Sequence, residues 1–113
     1  MRTAKNFRIV FSTVGNQTNA LKIARALLSA RAAACVNMVR GLRSIYRWKG
    51  RIQNDAEVLL IVKTTVKKLP DVEKIIRKTH TYEVPEIVSL PLDRGSERYL
   101  RWVEQETTKK GRS

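Results

Sequence analysis

Residues 1–54 contain no aspartate and no glutamate. Eleven Lys and Arg side chains stand there unopposed, whereas residues 55–113 set twelve cations against ten acids, so the formal charge of +13 resides almost wholly in the first half. Such a field attracts anions, among them nucleic acid, phosphorylated metabolites and acidic membrane surfaces, and it opposes high-capacity buffering of free metal cations. A single cysteine excludes an intrachain disulfide and fits a reducing compartment. The two methionines, Met1 and Met38, are too few for a thioether copper site, and the single histidine, His80, gives no chelate by itself. No apolar run approaches the roughly eighteen residues of a membrane span, so no membrane insertion is expected. The opening "MRTAKNFRIVFSTVG" is apolar over too short a run for a secretory core, and a cytoplasmic location is expected. Phosphate loops, Rossmann fingerprints, paired metal motifs and a Ser-His-Asp order are missing, and no enzyme is expected.

What is present is a regular succession of elements in one domain-sized chain of 113 residues. "FRIVFST" alternates, with Phe7, Ile9 and Phe11 on one face, and predicts a strand. Asn16 and Thr18 are candidate N-caps of a helix whose apolar stripe is Ala20, Ile23, Ala24, Leu27 and Leu28. "AAACVNMVRGLRSIYRWKG" is strand-like, with Gly41 a bulge or bend and Gly50 a turn. "AEVLLIVKTT" has the continuous apolar run of a central strand. A second helix is predicted over residues 66–79, with Pro70 in its first turn and Leu69, Val72, Ile75, Ile76 and Thr79 facing inward. "PEIVSLPL" is a fourth strand, and Ser96 caps a closing helix. The order β-α-β-β-α-β plus a helix is the α+β, ferredoxin-like split βαβ pattern, predicted over residues 7–106 with a basic tail at 107–113.

The hairpin between the second and third strands is too long for such a domain. Extended, the run from Ala33 to Gly50 reaches roughly 50 to 60 Å at about 3.3 Å per residue, against a radius of gyration near 13 Å. A two-stranded arm carrying Ile45, Tyr46 and Trp48 is poorly stable alone and needs a partner, for which another copy is the simplest choice.

The blocks "ACVNMVRGLRSIYRWKGRI", "EVLLIVKTT", "HTYEVPEIVSLPL" and "YLRWV" together resemble the CutA family, the divalent-cation tolerance proteins, from about Phe7 to Glu106. The resemblance implies a ferredoxin-like homotrimer held by its long hairpins and a link to divalent-cation tolerance and metal-ion response. It implies no obligatory cofactor, and binding of copper or another divalent cation that is at most weak. The ligand positions it implies fall on Ser12, Thr79 and His80, of which only His80 keeps a metal-binding side chain. Glu83 and Glu86 lie close to it in sequence.

Positions around clefts between subunits in the family correspond to Tyr46, Trp48, Glu57, Lys63, Tyr82 and Glu86 here, and Cys35 joins them as a packing residue at a strand start. Two readings of these residues stand side by side. One is a pocket for a small anionic molecule; the other is an ion pair of Lys63 with Glu57 or Glu86 that fixes register between chains. The alternative function is an anion or nucleic-acid binding module. Simple alternation puts Arg43, Arg47, Lys49 and Arg51 on one basic face of the hairpin, barring a bulge, with Leu42, Ser44, Tyr46 and Trp48 on an apolar one. Non-specific adhesion to nucleic acid in vitro is expected from the charge alone, and a protein partner remains open beside self-association.

Overall fold

The computed structural model describes residues 1–108. Its chain order is β1 (Arg2–Thr3), β2 (Phe7–Val14), α1 (Gln17–Ser29), β3 (Cys35–Trp48), β4 (Arg51–Thr65), α2 (Leu69–Thr79, entered through a 3-10 turn at Val66–Lys68), β5 (Val88–Pro91), β6 (Arg94–Gly95) and α3 (Glu97–Thr107). The main sheet is antiparallel in the order β3-β4-β2-β5, the split βαβ arrangement. Beyond the predicted pattern, β1 pairs with β6 in a two-residue ladder, and Ala4 is fully buried. The folded unit therefore begins ahead of Phe7 and includes Thr107, the buried last residue of α3. Residues 109–113 of the predicted tail lie outside the described residues.

Local chemistry fixes the helix ends. Asn16 Oδ1 accepts from the Asn19 amide at 2.8 Å, which makes Asn16 rather than Thr18 the cap of α1. Pro70 sits in the first turn of α2, and Ser96 Oγ accepts from the Tyr99 amide at the start of α3. The stripe of α1 buries Ala20, Ile23, Ala24 and Leu27, while Leu28 at its margin stays 44% exposed.

The helices α1 and α2 cover one face of the sheet, where Val10, Val14, Leu60 and Val62 pack against Ile23, Leu27, Val72 and Ile76. Phe7, Ile9 and Phe11 do share a face, but it is the opposite one, since the helix-facing residues of β2 are Val10, Ser12 and Val14. On that second face α3 packs Leu100 and Val103 against Phe7 at one end only. Leu59 and Ile61 of β4 lie beyond it, half-buried, so from Val58 to Thr64 the central strand is covered on one side and only partly on the other.

The β3–β4 hairpin spans 14 and 15 residues and gives the molecule its 47 Å long axis against 30 and 22 Å. Its tip is a two-residue turn in which Lys49 (φ 51°) and Gly50 (φ 80°) both take positive φ between the paired residues Trp48 and Arg51. That is the twist-matched turn of a tight hairpin. At the base of the arm the register slips by one residue between Val39 and Leu42, with Gly41 at φ 81°, a bulge that glycine accommodates without Cβ strain.

Candidate functional site

The bulge decides which hairpin residues meet the rest of the protein. Before it, Cys35, Asn37 and Val39 oppose Lys63, Ile61 and Leu59; after it, Leu42, Ser44, Tyr46 and Trp48 oppose Glu57, Asp55, Gln53 and Arg51. The parity of β3 changes while that of β4 continues, so Tyr46 and Trp48 stay on the face of Glu57, away from α1 and α2.

This register corrects the expected basic face. Arg43 and Arg47 share a side with Ile45, Ile52 and Ala56, whereas Arg51 lies opposite Trp48 on the other side. Lys49 belongs to the turn, its Nζ 5.7 Å from the centre of the Trp48 ring. The reason is the two-residue turn: it pairs odd-numbered residues of β3 with even-numbered residues of β4, so alternation cannot be carried through it. The side with Arg43 and Arg47 is not purely basic either, because Ile45 and Ile52 are 68% and 61% exposed on it.

Between the hairpin and the loop that follows α2 lies a cleft of about 420 Å³. The hairpin contributes Ser44, Tyr46, Trp48 and Glu57, β2 contributes Thr13, and the loop contributes Tyr82, Glu83, Val84 and Glu86. His80 holds the loop in place. Its Nδ1 accepts from the Tyr82 amide at 3.0 Å, which leaves Nε2 as the protonated nitrogen donating to the Thr13 carbonyl at 2.8 Å. The Tyr82 ring lies against the imidazole at 4.5 Å between centroids. Gly15 makes room for that ring, for a Cβ there would stand 3.1 Å from Tyr82 Oη.

Two phenols lean on carboxylates inside the cleft. Tyr82 Oη donates to Glu57 Oε2 at 2.5 Å, and Tyr46 Oη donates to Asp55 Oδ2 at 2.6 Å. Burial, with the Glu57 hydrogen bond and charge behind it, pushes the Tyr82 phenol well above its ordinary value. The hydrogen bond to Asp55, followed by burial, raises Tyr46. Both phenols therefore remain neutral donors, and the negative charge of the cleft rests on its carboxylates. Glu86 Oε1 takes a bond from Thr13 Oγ1 at 3.3 Å, and Glu83 meets Lys49 at 3.9 Å at the mouth.

Of the seven residues expected around clefts between subunits, five line this one cleft of the single chain: Tyr46, Trp48, Glu57, Tyr82 and Glu86. Cys35 and Lys63 form a separate pair at the far end of β4, with Lys63 Nζ on Asn37 Oδ1 and 3.9 Å from Cys35 Sγ. Six residues separate Lys63 from Glu57 along β4, roughly 20 Å of strand, so no Lys63–Glu57 ion pair forms within the chain. Cys35 is half-buried instead of packed in the core, because it faces away from α1 and α2. Thr13 was not singled out from sequence, Glu83 was named only beside His80 and Ser44 only on the hairpin face; Asp55, the partner of Tyr46, could have been found from Glu57 by its i, i+2 spacing, but no sequence signal marks Thr13.

Copper does not fit these residues. Both nitrogens of His80 are engaged within the protein, and the ring is only 8% exposed. Ser12 is fully buried on the helix-facing side of β2, with a hydroxyl that finds no partner and is a poor substitute for a thiolate. Among the described residues no group of three His, Cys, Asp or Glu side chains is placed to hold a metal ion. Within this chain His80 fastens the loop to the end of β2.

The fold as a whole recurs in known proteins. The profile of the CutA1 divalent ion tolerance protein family matches residues 8–106. The chain belongs to the CutA family. The divalent-cation tolerance protein CutA of Thermus thermophilus is 46% identical over 99 residues, covering 88% of this chain and 96% of that one. The human CutA protein is 44% identical over 97 residues; there the match covers 86% of this chain and 54% of the relative, so the chain spans about half the length of that longer protein. Among solved CutA structures, the Thermus thermophilus protein superposes with a TM-score of 0.88 at 45% identity, covering 90% of this chain and 99% of that one. The Synechococcus elongatus protein superposes at 0.90 with 29% identity, covering 95% of each chain. No helix among the described residues is long and apolar enough to cross a membrane.

Proposed function

We propose that the chain acts as a homotrimer in the response to divalent cations, in the cytoplasm, as an assembly without a catalytic reaction or an obligatory cofactor. The observation that carries this reading is the unfinished second face of the sheet. Ile9, Phe11, Leu59 and Ile61 are only half-buried there, Val88 and Leu90 are 49% and 45% exposed, and β3 leaves one edge of its 14 residues unpaired. An apolar face beside an open edge is covered most readily by sister chains, and closed rotational symmetry stops the pairing from propagating. The metal-ion response is supported by the Thermus relative, a divalent-cation tolerance protein by name.

The engaged imidazole of His80 supports a role that does not pass through a resident copper ion at that residue. An anion or nucleic-acid role drawn from the hairpin cations has less support, since only Arg43 and Arg47 of the four share a side. Sedimentation at micromolar protein and ordinary ionic strength tests the assembly, the expected result being one species at three times the 13.0 kDa of the chain. A folded species at the single-chain mass overturns the homotrimer. Copper titration of the wild type and His80→Gln tests the metal reading, and a stoichiometric site lost in the variant overturns it.

A further inference from the structure

The cleft carries a charge opposite to that of the protein around it. In a chain with 23 Lys and Arg, Glu57 and Glu86 line one cleft, with Asp55 hydrogen-bonded to its Tyr46, and among the described residues none of the three has a cation within ion-pair distance. Glu57 is the telling member. It is only 6% exposed, lines the cleft, and its one partner among the described residues is a neutral phenol. A buried carboxylate is costly unless a cation or several hydrogen bonds compensate it, and no cation of the described residues stands within ion-pair distance of Glu57. Arg43 binds Asn54, Lys63 binds Asn37, and Lys49 reaches only Glu83 at the rim.

The walls suit the same charge. Tyr46 and Trp48 are each 38% exposed, and Tyr82 closes the third side. Aromatic faces attract a cation through the ring quadrupole, most strongly where water is displaced. The Lys49 ammonium already rests 5.7 Å from the Trp48 ring centre, so the chain itself places one organic cation against this wall. An anionic ligand, one of the two readings open from sequence, meets the carboxylates of Glu57 and Glu86 here, and the cations on this side, Lys49 and Arg51, stand at the hairpin tip beside Trp48.

We propose that this cleft binds a small organic cation, an ammonium or guanidinium head on a short apolar stem, with Glu57 and Glu86 compensating the charge and Tyr46, Trp48 and Tyr82 enclosing the stem. The about 420 Å³ available suits a ligand of metabolite size. The site goes beyond the divalent-cation reading, because it contains no metal-ligand set and recognises charge with ring faces instead of coordination bonds.

The test titrates n-butylammonium, butylguanidinium, neutral n-butanol and butyrate into the full-length protein, followed by amide chemical shifts. Saturable binding of the cations, at least tenfold stronger than butanol and absent for butyrate, is expected, with shifts concentrated at Trp48, Glu57 and Tyr82. Glu57→Gln is expected to weaken it at least tenfold. Should that variant fail to fold, Glu86→Gln and Trp48→Ala carry the same expectation, since both residues line the cleft without closing the core. Equal binding of butanol overturns the proposal, and so does cation binding indifferent to the carboxylate variants. A cleft that no probe enters because a cationic side chain of a second copy fills it also overturns it. Sedimentation reports the assembly separately, so failure here and failure of the homotrimer are told apart.

Discussion

Leu59 and Leu60 are neighbours in one strand and identical in chemistry, yet they belong to two different surfaces. Leu60 is fully buried beneath α1 and α2, with Val10, Val62, Ile23 and Ile76 around it. Leu59 faces the other way and is only half-buried, in a field with Ile9, Phe11 and Ile61 that α3 covers at just one end. Sequence gives both faces the same apolar character. The difference is one of completion: the first face is closed by helices of the same chain, while the second is left for whatever docks on it. The cleft lies on the second face for a physical reason, since carboxylates such as Glu83 and Glu86 are tolerated only where water or a ligand can reach them.

The sharpest way to break this comparison is to truncate each leucine in turn. Leu60→Ala is expected to cost about 2–5 kcal/mol, the range for deleting a buried leucine side chain, with a loss of stability independent of protein concentration. Leu59→Ala is expected to cost less within the subunit and to act on assembly, so its denaturation midpoint shifts with protein concentration more than that of the wild type. Urea unfolding at several concentrations reads both. Equal, concentration-independent losses would erase the distinction between the faces.

Gly41→Val attacks the device that sorts hairpin side chains between the two surfaces. At φ 81° a β-branched residue is strained by about 1–2 kcal/mol, and relief of the strain shifts the register at the base of the arm while the two-residue turn holds the tip. Cross-strand proton contacts should show the Trp48–Arg51 pairing retained at the tip, with the Leu42–Glu57 pairing perturbed. A smaller effect is expected at the helix that closes the first face. Asn16→Ala removes the cap of α1 and should cost about 1 kcal/mol, whereas Thr18→Ala, inside the helix, should be close to neutral in a thermal melt.

The order of elements, the caps at Asn16 and Ser96, the bulge at Gly41 and the turn at Gly50 were all legible from sequence, because each depends on a few adjacent residues. What was not legible depends on the sum of local choices along two strands. Arg51 could not be assigned a side without knowing that the turn is two residues long, nor Tyr46 without knowing that Gly41 adds a residue to β3. Within one chain Lys63, beside Cys35, stands six residues along β4 from Glu57, a separation that residue types alone do not reveal. The β1–β6 ladder was invisible because two-residue strands carry no periodicity. His80 read as a possible ligand in sequence, and only its two hydrogen bonds reveal a fastener.

The mildest prediction concerns pH and sharpens the picture of the cleft as a set of neutral phenols on charged carboxylates. The Tyr82 phenol is held above its ordinary value near 10 by burial and by Glu57. Below pH 10 the phenol is protonated in both folded and unfolded chains, and its stabilising contribution is complete. Above that value the unfolded chain releases the proton first, so stability falls as pH rises toward the folded value. Unfolding midpoints of the wild type and Tyr82→Phe between about pH 8 and about pH 11 should therefore diverge in slope, with the wild type falling more steeply on the alkaline side. Tyr46 is raised in the same direction by Asp55 from an exposed position, so Tyr46→Phe should flatten the slope less. Parallel slopes for wild type and Tyr82→Phe would mean that the Tyr82–Glu57 bond does not persist in solution, and Glu57 would then lose the one partner that the chain gives it.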